Sequence, residues 1–349
     1  MRRRHVAIVV SLLLALTISA VALPSPLGRS ATAAPEQVYL ALGDSIAAGL
    51  ITTLPSSRGY PWLIQNLMQQ LNTGNGQPSP VTLEDLAVPG ETATSFLKPG
   101  GQLDKAKQAI SDIQANGADL RLLTVTLGGN DILDLQAADL TARQQGLAAF
   151  KTDFPAALSA IKSALGSLKP VIVVTTYYDP SGGDPTQQGS DAWWVAQFND
   201  VIKTTAQQDG AKVADLAPAF QGHIDDWTWE PADVHPNNDG HAEIAKLIWQ
   251  QTGFDTSAPK VTIERPAAGK LSRDIPTILA KATDNVGVTG VQLLVNDSVV
   301  SDMIYEPSLD AYAMVWDGTA SSGKQVKLSV QASDLAGNQT SATVTVTLP

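Results

Sequence analysis

Hydrophobic and polar positions follow two different periods along this chain, and the change of period divides it. Short continuous apolar runs at 38–42, 81–88, 120–127, 171–177 and 212–215 predict buried strands. Between them, stretches at 60–71, 103–114, 141–168, 192–208 and 240–251 repeat apolar residues at helical spacing. Pro61 suits a first helical turn, Asn116-Gly117 supplies a stop, and Pro155 predicts a bend in the longest helix. Strands separated by helices of this length imply a parallel sheet with right-handed crossovers and helices on both faces, an α/β three-layer sandwich. From residue 260 the period falls to two. Segments at 261–264, 277–282, 291–295, 312–316, 326–332 and 343–348 alternate apolar and polar residues, with turn residues between them.

That second pattern predicts an all-β antiparallel sandwich of immunoglobulin type, without its disulfide because the chain has no cysteine. Its turns carry Asp284-Asn285, Asn296-Asp297, Asp317-Gly318, Ser322-Gly323 and Gly337-Asn338. Such pairs read as turn chemistry, and calcium binding is the other use to which tandem Asp and Asn are put.

The N-terminus follows neither period. Residues 1–4 are Met-Arg-Arg-Arg, residues 6–23 are almost entirely apolar, and Ala31-Thr32-Ala33 offers an A-x-A cleavage site. This is the pattern of a secretory signal peptide cleaved near Ala33, and it predicts a secreted protein; an uncleaved membrane anchor is the competing reading. The expected division is a leader at 1–33, an α/β domain at 34–255 and a β-sandwich at 256–349.

Charge narrows the partners. The chain has 23 basic and 34 acidic residues, a net −11. Residues 1–33 hold four of the basic residues and no acid, so without them the balance is 19 against 34, a net −15. A surface this acidic disfavours nucleic acid and anionic membrane faces as partners.

Candidate chemistry starts at Gly43-Asp44-Ser45, where the first strand stops. A serine at the carboxyl end of a parallel strand sits where open α/β sheets place their ligands, although the tripeptide alone is an ordinary turn. A serine hydroxyl needs a histidine to take its proton and a third group to orient that histidine. Beyond residue 33 the histidines are His223, His235 and His241. His235 lies in Asp233-Val234-His235-Pro236, after the last short strand of the α/β region, which predicts it at the same sheet edge as Ser45. His241 reads as a surface or capping residue and His223 as structural. An oxyanion would need donors placed in advance, and the Ser45 N–H, the Gly90 N–H and the Asn130 amide all follow strands at that edge.

The four blocks Gly43-Asp44-Ser45, Val88-Pro89-Gly90-Glu91, Gly128-Gly129-Asn130-Asp131 and Asp233-Val234-His235-Pro236 resemble those of the GDSL, or SGNH, hydrolases. The resemblance covers roughly residues 37–252 and places the family's serine, glycine, asparagine and histidine on Ser45, Gly90, Asn130 and His235. It implies a flavodoxin-like sandwich, no metal or cofactor, and serine-dependent hydrolysis of esters. One position departs from the pattern. The third catalytic member usually stands three residues before the histidine, where this chain has Ala232. Asp233 is the expected substitute, and a backbone carbonyl at 230–231 is the alternative. The phrases A-T-D-N-V-G-V-T-G-V and S-D-L-A-G-N look like immunoglobulin-like modules of bacterial surface and secreted proteins.

Tyr177, Tyr178, Trp193, Trp194, Trp227 and Trp229 cluster around the predicted site, as an acyl pocket, a sugar platform or loop core. The expected activity is that of a secreted carboxylic ester hydrolase of esterase or lipase type working through an acyl-enzyme. The expected substrate is a lipid ester or an acylated glycan, with the sandwich docking to cell wall or polysaccharide. A carbohydrate O-deacetylase and a non-enzymatic surface adhesin are the other readings.

Overall fold

The computed structural model describes residues 35–76, 79–273 and 275–349, so the expected leader at 1–33 lies outside the described residues. Five parallel strands form the first sheet: β1 (Gln37–Gly43), β2 (Val81–Asp85), β3 (Asp119–Thr126), β4 (Val171–Thr175) and β5 (Lys212–Ala214). Their order is β2-β1-β3-β4-β5, the flavodoxin-like arrangement. β1 is paired on both edges, and Tyr39, Leu40, Ala41 and Leu42 are wholly buried. Successive residues of a strand point to opposite faces, so that burial means both faces are covered. This is why the strand reads as an unbroken apolar run rather than an alternation.

Two groups of helices supply the cover. Tyr60–Gly74 packs on Asn238–Thr252, while Gln102–Asn116, Leu140–Leu165 and Asp191–Asp209 pack in a second row. Pro155 falls inside one continuous helical segment. That helix stops three residues earlier than the periodicity predicts, because Gly166 leaves the helical region at φ +55°. No helix among the described residues is long and apolar enough to cross a membrane.

A hairpin of β6 (Thr228–Trp229) and β7 (Asp233–Pro236) precedes the last helix, and the sequence pattern did not foresee it. Beyond it, two sheets build the β-sandwich. The first runs β13 (Ile304–Glu306), β14 (Ala311–Val315), β10 (Thr277–Thr283) and β8 (Lys260–Arg265). The second runs β12 (Ser298–Asp302), β11 (Val288–Val295), β15 (Gln325–Asp334), β16 (Gln339–Thr347) and β9 (Gly269–Lys270). Pairing is antiparallel except between β16 and β9. Ile278, Leu293, Leu328, Val330 and Val346 fill the space between the sheets. The sandwich core needs no disulfide: the alternation of β10, β11 and β15 turns one apolar face inward from each sheet.

Candidate active site

The site is built at the carboxyl ends of β1, β2 and β3, beside the point where the strand order reverses. Gly43 ends β1 with φ +137°, and a Cβ there would lie 2.0 Å from the Thr126 carbonyl oxygen. Only glycine lets β1 and β3 approach this closely at that backbone angle. The following residue donates its N–H to the same carbonyl at 2.9 Å, which fixes the corner from which Ser45 projects. The chain then turns, with Ala48 and Leu50 N–H groups donating back to the Asp44 and Ser45 carbonyls.

Ser45 Oγ lies 2.8 Å from His235 Nε2. On the other side of the ring, Nδ1 lies 2.5 Å from Asp233 Oδ1. That carboxylate oxygen also accepts the His235 backbone N–H at 2.9 Å. Asp233 thus reaches the ring from two positions away, by folding back over its own backbone. The sheet-edge segment bearing the histidine is held from two sides. Tyr178 donates its hydroxyl to the Val234 carbonyl at 2.6 Å, and Asn237 Nδ2 donates to the Asp226 carbonyl at 2.8 Å. Partial burial works against ionisation of Asp233, yet the His235 N–H, ring and charge together hold its carboxyl below the usual range.

Asn130 stands on a short helical turn, Gly129–Leu133, and one of its amide hydrogens goes to the Glu91 carbonyl at 2.9 Å. That leaves its second hydrogen for a ligand. Gly90, at φ +84°, makes the turn beside Glu91. Among the described residues, neither the Ser45 N–H nor the Gly90 N–H donates to a protein acceptor. The structure therefore gathers Ser45, His235, Asp233 and Asn130 at one place, with Gly90 on the adjoining turn.

Three further residues hold this arrangement. Gln102, almost wholly buried, is bonded to both backbone polar groups of Gly43, and its Nε2 also donates to Glu91 Oε2 at 3.1 Å. Asp131 accepts the Ala93 N–H at 2.9 Å, joining the Asn130 turn to the segment after Gly90. Asp44, buried next to Ser45, accepts from the Tyr177 hydroxyl at 2.6 Å and from the Ile46 N–H at 2.9 Å. Burial raises its pKa to about 6, against the opposing pull of those two donors and of His235.

The cleft above Ser45 is mainly apolar. Ile46, Ile132, Leu133, Tyr177, Val195 and Val234 line it, alongside the catalytic candidates. Of the six aromatic residues singled out in the sequence, Tyr177 and Tyr178 border this cleft. Trp227 instead stacks with His223, ring centres 4.3 Å apart, and Trp193 meets Trp194 edge-on. Trp229 is an exposed side chain.

His241 is not the surface residue that its position at a helix start suggests. It is fully buried, stacks on Tyr60, and its Nδ1 accepts the Tyr60 N–H at 3.3 Å. The helix is capped one turn earlier by Asn237, whose side chain accepts from the Asp239 and Gly240 N–H groups, so His241 is free to face inward.

The sequence profile of the GDSL-like Lipase/Acylhydrolase family matches residues 41–243. This chain belongs to that family. It is an ester hydrolase. The profile of a Bacterial Ig domain matches residues 259–346. Among solved structures, the chain is similar to an acetylxylan esterase, Axe2 from Geobacillus stearothermophilus. The two are 19% identical with a TM-score of 0.45, over 63% of this chain and 95% of the other. It is also similar to the lipase Lip_vut3 from a goat rumen metagenome, 19% identical with a TM-score of 0.48, over 63% of this chain and 99% of that one. Among curated proteins, no relative matches this sequence.

Proposed function

We propose that the chain hydrolyses carboxylic esters through an acyl-enzyme on Ser45. The observation that carries this reading is the Ser45–His235–Asp233 chain of contacts, at 2.8 and 2.5 Å. Ser45 Oγ attacks the ester carbonyl carbon while His235 Nε2 takes its proton. Asp233 holds the ring with Nδ1–H toward itself and stabilises the imidazolium that forms. The carbonyl oxygen, now an oxyanion, is met by the Ser45 N–H, the Gly90 N–H and the free Asn130 amide hydrogen. Collapse breaks the bond to the alcohol, which leaves with the proton from His235. Water then repeats the sequence, releasing the acid and restoring Ser45.

The apolar lining supports an acyl group longer than acetate, because acetate has no methylene chain to set against six apolar side chains. Each methylene buried there contributes about 0.8 kcal/mol, or roughly a fourfold gain in kcat/KM. The test is hydrolysis of p-nitrophenyl esters of increasing acyl length by wild type and Ser45→Ala. Rates that rise from acetate to longer chains, and vanish in the variant, are expected. A maximum at acetate would turn the reading toward deacetylation of glycans, and Ser45-independent activity would remove the acyl-enzyme. The pattern of residues 1–33 supports export of the enzyme, and the sandwich supports docking to a surface glycan.

A further inference from the structure

Away from the cleft, three aspartates from separate stretches of chain meet where the sandwich joins the α/β domain. Asp255 lies just after the last helix, Asp284 in the β10–β11 turn, and Asp334 at the end of β15. One carboxylate oxygen from each lies within 4.8 Å of the other two. Each carboxylate is aimed by its own loop. Asp255 Oδ1 accepts the Ser257 N–H at 3.1 Å, Asp284 Oδ1 accepts the Val286 and Gly287 N–H groups, and Asp334 Oδ1 accepts the Asn338 N–H. Among the described residues, no Lys or Arg forms an ion pair with any of the three.

Two observations point to a positively charged partner for this cluster. Asp255 is 4% exposed, and its Oδ2 is buried with no hydrogen-bond partner. A buried carboxylate oxygen left unpaired beside two like charges is costly. The second is the Asn285 side-chain amide. One end stands 3.1 and 3.2 Å from the two carboxylate oxygens of Asp284, and the other end stands 3.3 Å from Asp255 Oδ1. An amide has one NH₂, so whichever way it is turned a carbonyl oxygen faces a carboxylate. A cation in the cluster resolves both faults.

We propose that Asp255, Asp284, Asp334 and Asn285 form a calcium site at the junction of the two domains. The donors are all oxygen, which suits a hard cation. Calcium–oxygen bonds of about 2.3–2.6 Å let oxygens bound to one ion stand up to about 5 Å apart, and calcium tolerates irregular geometry where magnesium demands a near-ideal octahedron. The three aspartate oxygens, all within 4.8 Å of one another, can therefore share one calcium ion. The site also ties the domains together. Gly74 lies so close to the Asn285 carbonyl that a Cβ on it would be 2.4 Å away, and Asn338 Nδ2 reaches the Asp255 and Ser257 carbonyls. A bound ion would therefore fix the angle at which the sandwich is carried.

The experiment is calcium titration by calorimetry of the intact two-domain protein after stripping with EDTA, beside Asp255→Asn/Asp284→Asn. Expected is one saturable calcium per wild-type chain, none in the double variant, and a wild-type melting point that rises with calcium while the variant's does not. In EDTA the variant should melt no lower than wild type, because it has lost two repelling charges. If the double variant fails to fold, the less buried Asp284→Asn alone takes its place. No binding to stripped wild type at millimolar calcium would overturn the site, as would unchanged binding in the folded variant. Binding is read without ester turnover, so the result stands apart from the catalytic reading.

Discussion

Gln102 grips Gly43 from both of its backbone polar groups, donating from Nε2 to the carbonyl at 2.8 Å and accepting the N–H on Oε1 at 2.7 Å. Gly43 is two residues before Ser45, and the same Nε2 reaches the carboxylate beside Gly90. One buried side chain thus sets both the corner carrying Ser45 and the turn carrying Gly90. Gln102 is buried and does not line the cleft, so its effect on the site is one of positioning.

Replacing Gln102 tests that positioning. Gln102→Leu leaves the Gly43 N–H buried without an acceptor, which costs about 1–3 kcal/mol of stability. A displaced Ser45 should lower kcat by roughly 10- to 100-fold with little change in KM, since the acyl cleft is untouched. A stability loss with unchanged kcat would show that Gln102 supports the fold alone.

The Asp233–His235 contact makes its own prediction. Asp233→Asn puts an NH₂ within reach of Nδ1, favours the wrong tautomer, and removes the charge that stabilises the imidazolium. A fall in kcat of at least about a hundredfold is expected, while Ser45→Ala and Ser45→Ala/Asp233→Asn should be equally inactive because the residues act as a unit. Steady-state kinetics on one chromogenic ester decides it. A loss of only a few-fold would mean that the ring is oriented by something other than Asp233.

Asp44 and His241 give opposite pH signatures. Burial raises Asp44 to about 6, so between its unfolded value near 3.8 and pH 6 the native state holds the extra proton and stability falls as pH rises. Burial, with His235 nearby, lowers His241 to about 3, so between pH 6.5 and 3 the unfolded state holds the extra proton and stability falls as pH drops. Asp44→Asn should gain relative to wild type as pH rises from 4 to 6, by up to about 3 kcal/mol for a shift of about two units. His241→Gln should gain relative to wild type as pH falls through the lower window. Urea midpoints across pH 3.5–7.5 read both slopes, and variant curves parallel to wild type would contradict them.

The sheet, the sandwich and the four blocks were legible because each rests on local signals: apolar runs, turn residues and strand ends. The residues that hold the blocks together were not. Gln102 lies on the buried stripe of its helix with Leu103, Ala106, Ala109, Ile110 and Ile113. A polar residue on an apolar stripe was the available signal, but its partners lie 59 and 11 residues away. His241 was misread because the helix-start position suggested a cap, while Asn237 already filled that role. β12 and β13 were missed because they are edge strands with their residues mostly exposed, which leaves no alternation to detect. The carboxylate pairing of Asp233 depended on a fold-back over two residues, which spacing alone left open.

Two glycines of the site separate strain from space. At Gly43, φ is +137° and an added Cβ would strike the Thr126 carbonyl at 2.0 Å. Neither backbone can give way without breaking the β1–β3 pairing, so Gly43→Ala should fail to fold or lose several kcal/mol. At Gly90, φ is +84° but nothing lies within 4 Å of the added Cβ. Gly90→Ala meets strain without collision, costing about 1–3 kcal/mol, and should fold. Any relaxation of its backbone turns the Gly90 N–H away from the oxyanion, so kcat should fall, by up to about 10²–10³ if the donor is lost. Circular dichroism melts and steady-state kinetics on the two variants decide the matter. A well-folded Gly43→Ala would show that the β1–β3 approach tolerates a side chain, and full activity in a folded Gly90→Ala would remove its N–H from the oxyanion site.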